Sequence, residues 1–203
     1  MANERSPSVP PTQPERRDAT IEEWLAIPHE KGAQLIHGRL VYEAMPDPLH
    51  GRSAGGLFAQ LDGPFDRAKG DRDRPGGWWL SLEVDLKLGT DGVRPDLCGW
   101  RREKHPPMPE ARPKGFVTEA PDWVCEVLSP STTSVDLEDK RVLYHRAGVA
   151  HYWLLDFERR SLTVLRHSSE GYLYMLSAFR DDIVRAEPFD AIDLHMRQVF
   201  PDD

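Results

Sequence analysis

A chain of 203 residues with 39% hydrophobic and 30% charged side chains is long enough to bury a core and suits one soluble domain. No apolar run approaches the roughly 18 residues of a membrane-spanning helix, and the N-terminal MANERSPSVPPTQPERR lacks the apolar centre of a secretory signal. The formal net charge of −8 argues against an extended, charge-driven nucleic-acid binder, but not against an enzyme that meets phosphates locally.

Residues 1–18 are Pro-rich and poor in apolar groups, which predicts a disordered tail ahead of a single domain over 19–203. Thr20-Ile21-Glu22-Glu23 is a capping-box pattern that opens a short helix ended by Pro28. QLIHGRLVYEA (34–44) predicts strand, turn at Gly38, strand. The stretch 48–69 carries Leu57, Phe58, Leu61 and Phe65 at helical spacing, with Pro64 as a late breaker. Leu80, Leu82, Val84, Leu86 and Leu88 then alternate with polar residues, the pattern of one half-buried strand.

A turn at Thr90-Asp91-Gly92 leads into a strand predicted over 94–100, followed by a Pro-rich loop. From Arg94 to Lys114 six Lys/Arg stand against three acids, so this stretch is locally basic in an acidic chain. A strand follows over 123–128, then the loop SPSTTS, then a helix over 136–148 with Asp136 as N-cap and Gly148 as stop. Strands are predicted over 151–157, 161–167 and 171–178, while 189–200 is ambiguous between helix and strand. Cys98 and Cys125 lie in apolar runs without a metal-binding spacing, which fits reduced thiols in a cytoplasmic protein. The order of elements predicts an α/β or α+β fold, a mixed β-sheet flanked by helices.

Lys140 is a charge in the wrong place. On the helix 136–148 it sits near the middle of a stripe made by Leu137, Leu143, Tyr144 and Ala147. A lysine ammonium is too costly to bury unpaired, so Lys140 reaches water or a carboxylate. Strand parity puts Glu126 on the same side of its strand as Val124 and Leu128, among apolar neighbours, and a glutamate there calls for a partner. Asp96 follows a proline at a strand start. Taken singly, Asp96 reads as a strand-entry carboxylate, and Glu126 with Lys140 as a structural ion pair without chemistry. Taken together, two carboxylates on neighbouring strands suit a hard divalent cation, and a lysine beside them suits orientation of a water or charge balance at a phosphate.

RPDLCGW (94–100), PDWVCEVLSPST (121–132), DLEDKRVLYHRAGV (136–149) and HYWLLD (151–156) resemble the Uma2-type family, a bacterial group of endonucleases within the PD-(D/E)XK nuclease superfamily. The likeness runs from about Thr20 to Phe200. It implies a restriction-endonuclease-like fold, a Mg²⁺ (or Mn²⁺) cofactor, a nucleic-acid substrate, DNA above all, and phosphodiester hydrolysis. By this resemblance Asp96 and Glu126 are catalytic and metal-holding, with the Val127 carbonyl assisting. Lys140 is the catalytic lysine that positions the attacking water, moved from the strand, where Leu128 stands, to the following helix. His50, Tyr144 and Gln34 are auxiliary. Gln34 stands in AQLIHG where the family usually has a glutamate, and it brings an amide oxygen without a charge.

The basic loop suggests a grip on the phosphate backbone, and a homodimer would place two sites on the two strands of a duplex. The Gln34 departure and the acidic charge support an alternative, a catalytically silent nuclease-fold scaffold or DNA-binding module. A metal-dependent hydrolase of small phosphoesters is a third reading. Trp78 and Trp79 suit base stacking less well than a core or strand-edge role. The loop residues Ser129, Ser131 and Thr132 lack a neighbouring base and read as capping groups.

Overall fold

The computed structural model describes residues 18–42, 48–70, 74–111, 115–128 and 135–200; the Pro-rich tail, the SPSTTS loop and Arg112 and Lys114 of the basic loop lie outside them. The chain enters through α1 (Ile21–Leu25), whose capping box forms as its sequence dictates: the Thr20 hydroxyl accepts the Glu23 N–H while the Glu23 carboxylate accepts the Thr20 N–H. A hairpin follows, β1 (Ala33–Ile36) and β2 (Arg39–Tyr42), and then the long helix α2 (Pro48–Phe65), with Pro64 in its last turn.

The alternating run 80–88 is not one strand. It divides into β3 (Trp78–Leu82) and β4 (Leu86–Leu88), which join different sheets. The break falls at Glu83, whose φ of 50° lies in the left-handed region and cannot continue a strand. The strand expected over 94–100 begins only at Leu97, as β6 (Leu97–Arg101); the expected turn at 90–92 runs instead into a short strand, β5 (Asp91–Val93), and Arg94-Pro95-Asp96 crosses between the sheets. Period-2 alternation registers which residues are buried, but it does not register which sheet buries them.

After β6 come β7 (Trp123–Leu128), a π-helical turn (Val135–Lys140), α3 (Arg141–Arg146), and the strands β8 (His151–Asp156), β9 (Ser161–Ser168) and β10 (Gly171–Phe179). Gly148 ends the helical segment in a left-handed conformation at φ 77°, the geometry a glycine stop supplies. The ambiguous C-terminal stretch resolves into a small hairpin, β11 (Ile183–Val184) with β12 (Leu194–His195), and a last turn of helix, α4 (Met196–Val199).

Six strands form the main sheet in the order β10-β9-β8-β7-β6-β3. Only the β7–β8 pair is parallel within it. A parallel pair needs a crossover, and here the crossover carries the π-turn and α3. One face of the sheet packs on α2 and α4, with Leu57, Leu61 and Phe65 against Trp123, Trp153, Leu155 and Val199. Gly56 permits that contact, since a Cβ there would lie 2.5 Å from the Gln198 carbonyl oxygen. The other face meets α3 and the second sheet, β2-β1-β5-β4, through Ile36, Leu86, Val93, Val124, Leu143 and Tyr144. The central strand is therefore covered by helices on one side and by a sheet with α3 on the other, rather than by helices on both.

Candidate active site

β7 is buried along its whole length, and its parity is the one the sequence requires: Trp123, Cys125 and Val127 enter the helix-covered layer, while Val124 and Leu128 enter the other. Glu126 lies between the latter two at 2% exposure. Its carboxylate meets Lys140 and Tyr144 from the crossover: Lys140 Nζ lies 3.1 Å from Oε2, and the Tyr144 hydroxyl donates to Oε1 at 2.6 Å. Lys140 is 1% exposed and Tyr144 fully buried, so all three polar groups stand inside the protein. Lys140 does not snorkel to water. It ends the π-turn, and α3 begins at the next residue. The expected helix over 136–148 thus contains a π-turn, a feature that recurs at functional sites. From Lys140, a step of four residues along the helix brings Tyr144 to the same face.

Asp96 arrives from the neighbouring strand. Leu97 pairs with Cys125 in the antiparallel β6–β7 register, and one further step sets Asp96 opposite Glu126. Its Oδ2 accepts the Val127 N–H at 2.7 Å, and its Oδ1 lies 3.3 Å from His50 Nε2, contributed by the first turn of α2. Two contact groups result, His50 with Asp96 and Lys140 and Tyr144 with Glu126, and the strand register sets them opposite each other. Burial pushes the Cys125 thiol well above its ordinary range, and the Asp96 and Glu126 charges push it further. Cys98 is raised for the same first reason, with Glu126 adding to it. Both cysteines are free, buried thiols, as their apolar context predicts.

Gln34 supports the segment that carries Asp96. It is buried in β1, and its amide oxygen accepts the Arg94 backbone N–H at 2.9 Å. It therefore ties the second sheet to the segment that delivers Asp96 two residues later. Arg94 is fixed as well, by a bidentate pairing with Asp85 at 2.8 and 3.1 Å. Sequence reading missed this support because neither Asp85 nor Arg94 interrupts an apolar pattern; the Val127 N–H bond to Asp96 is a backbone contact with no residue-type signal.

The described part of the basic loop is folded back on the protein. The Arg101 guanidinium carbon lies 4.6 Å from the centroid of the Trp78 ring, and that of Arg102 lies 3.2 Å from that of Trp79. Arg102 also pairs with Asp66 at 2.8 Å, and Lys104 pairs with Asp122. These three cations each have a partner within the chain. Trp78 is a core residue, and Arg102 covers a face of Trp79.

The donor set can be tested against a divalent cation. Asp96 and Glu126 offer hard carboxylate oxygens, the ligands that Mg²⁺ takes, commonly as one or two carboxylates with water and phosphate completing the shell. Among the described residues no group of three His, Cys, Asp or Glu side chains forms a fuller cage. The residues present fit a cation held by two carboxylates.

The mixed sheet carries Glu126 on β7 with Asp96 opposite it at the entry to β6, and the buried Lys140 reaches Glu126 from the crossover, the arrangement of a nuclease-type fold. In structure the chain is similar to a crystal structure from Anabaena variabilis ATCC 29413 described as "a putative nuclease belonging to DUF820". The TM-score is 0.67 at 21% identity, over 89% of this chain and 97% of that one. The family model of Uma2, "Putative restriction endonuclease", matches residues 19–197, and the chain belongs to that family. No curated protein matches the chain. No helix among the described residues is long and apolar enough to cross a membrane.

Proposed function

We propose that this protein is a Mg²⁺- or Mn²⁺-dependent endonuclease that hydrolyses phosphodiester bonds in DNA. The observation that carries this reading is the buried Glu126–Lys140–Tyr144 constellation opposite Asp96, since burying an ion pair is a poor way to gain stability. Asp96 and Glu126 are the residues that would hold the cation. When bound, such an ion polarises a phosphoryl oxygen and acidifies a water.

The remaining work falls to the chain. The Val127 N–H and His50 fix Asp96 from two directions, so that its carboxylate is oriented before substrate arrives. Tyr144 fixes Glu126. Lys140 orients the attacking water and balances the negative charge that grows on the phosphoryl oxygens. The test is cleavage of linear, supercoiled and single-stranded DNA with Mg²⁺ or Mn²⁺. Asp96→Asn and Glu126→Ala are expected to lower the rate about a hundredfold or more, and equal activity in wild type and Glu126→Ala would sink the assignment.

Gln34 supports a second reading, a silent nuclease-fold scaffold, because its amide serves the Arg94 backbone and adds no charge to the site. Calorimetry separates the two: absence of Mn²⁺ binding near neutral pH, in a protein that is folded, favours the scaffold.

A further inference from the structure

The two groups on Glu126 come from one helical segment and differ in kind. The Tyr144 hydroxyl at 2.6 Å from Oε1 is a neutral donor. It is held by its ring, which packs against Tyr152 with centroids 5.3 Å apart and lies among Leu143, Val124 and Val149. It orients the carboxylate and leaves its charge intact. Lys140, 3.1 Å from Oε2, brings a full positive charge to the carboxylate that would help hold a divalent ion. At 1% exposure its ammonium is desolvated, so its attraction to Glu126 is far stronger than at a surface.

Resting on the cation assignment above, we propose that Lys140 is the resident counter-ion of Glu126, and that a divalent cation binds in competition with it. The ammonium leaves Oε2 when the ion is held and becomes available to the water it orients. Lys140 thus alternates between two positions rather than standing permanently beside the ion. Charge counting gives the direction of the effect. Asp96 and Glu126 contribute two negative charges and Lys140 offsets one of them; cation affinity at oxygen sites rises with ligand charge. Removing the ammonium should therefore tighten cation binding even as it removes catalysis. A purely structural lysine predicts the reverse, because its loss would disorder Glu126 and weaken whatever depends on it.

The experiment is a Mn²⁺ titration of the full chain by calorimetry at pH 8, with melting temperature recorded with and without Mn²⁺. Lys140→Met and Lys140→Gln are expected to bind Mn²⁺ roughly tenfold more tightly than wild type, and to gain more in melting temperature from the ion. Lys140→Gln keeps an uncharged donor for Oε2 and serves if Lys140→Met does not fold. Tyr144→Phe is expected to move the other way, with affinity falling about fivefold as the carboxylate loses its orientation. Unchanged or weaker Mn²⁺ affinity in Lys140→Gln overturns the competition. Glu126→Gln distinguishes the deeper failure: if it binds Mn²⁺ as wild type does, the cation assignment itself falls.

Discussion

On its helix-covered side β7 sends Trp123, Cys125 and Val127 into a layer where Trp123 meets Trp153 and Phe189 edge-on, at 5.4 and 4.9 Å between ring centroids. On its other side Val124 and Leu128 flank Glu126, which meets an ammonium and a phenol. All six residues are buried, so depth does not separate the two faces. Their chemistry does. Aromatic and aliphatic contacts repay burial by area removed from water, whereas a buried ion pair at best breaks even against apolar side chains of the same volume. A charge kept on one face of an otherwise apolar strand is thus explained better by what it does than by what it stabilises.

The largest effect expected on this comparison comes from breaking the pair. Glu126→Ala leaves the Lys140 ammonium buried without its carboxylate and should destabilise by about 3–5 kcal/mol in urea denaturation. Replacing both partners, as Glu126→Leu with Lys140→Met, should restore most of that loss or exceed it, while DNA cleavage stays abolished. A double variant as unstable as Glu126→Ala would mean that the pair holds the fold, and the contrast between the faces would disappear.

The packed face has its own polar edge, and acid should expose it. Burial first, then the charges of Arg101 and Arg166, lower His151 to about 4, with Asp122 and Asp190 opposing. The folded value lies below the unfolded value near 6.5, so the unfolded chain binds more protons between the two. The stability from neutral His151 is complete above pH 6.5 and is lost as pH falls toward 4. For this partly exposed ring the loss should be about 1–2 kcal/mol after allowing for solvent screening. Urea midpoints between pH 7 and 4.5 should fall less steeply in His151→Gln than in wild type; parallel slopes would remove His151 from the account.

At the start of β7 the Trp123 indole N–H is buried and has no hydrogen-bond partner among the described residues. Trp123→Phe therefore gives up packing but no hydrogen bond, and should cost less than about 1 kcal/mol. A loss as large as that of Glu126→Ala would show that polar satisfaction matters as much on this face as on the other.

The residues of the site were more legible in the sequence than the scaffold that joins them. Glu126 and Lys140 stand out because each violates an apolar pattern, and the parity of one strand and the period of one helix suffice to aim them at each other. The division of 80–88 between two sheets was not legible, because Leu80 and Leu86 are both buried and alternation is blind to the left-handed backbone at Glu83. Nor was the π-turn, since its residues fit an α-helical stripe equally well. The partners of the basic loop were not legible for a related reason: charge counting sees Arg102 and Lys104 but not Asp66 and Asp122, which come from elsewhere in the chain to meet them.

The smallest effect is the control on burial. Asp139 and Lys140 are adjacent, and each makes an ion pair from the same π-turn, Asp139 with Arg39 of β2 at 2.8 Å and Lys140 with Glu126 at 3.1 Å. The first pair is largely exposed, at 60% for the Arg39 side chain and 31% for Asp139. Water already solvates both of its charges, and salt screens their attraction. Arg39→Ala should therefore cost less than about 0.5 kcal/mol, and the difference should vanish in 0.5 M salt. If Arg39→Ala instead destabilised the protein as much as Glu126→Ala, anchoring of the π-turn rather than desolvation would be the common cause. The charge beneath β7 would then be a fastening of the crossover, and the case for chemistry there would rest on the cation titration alone.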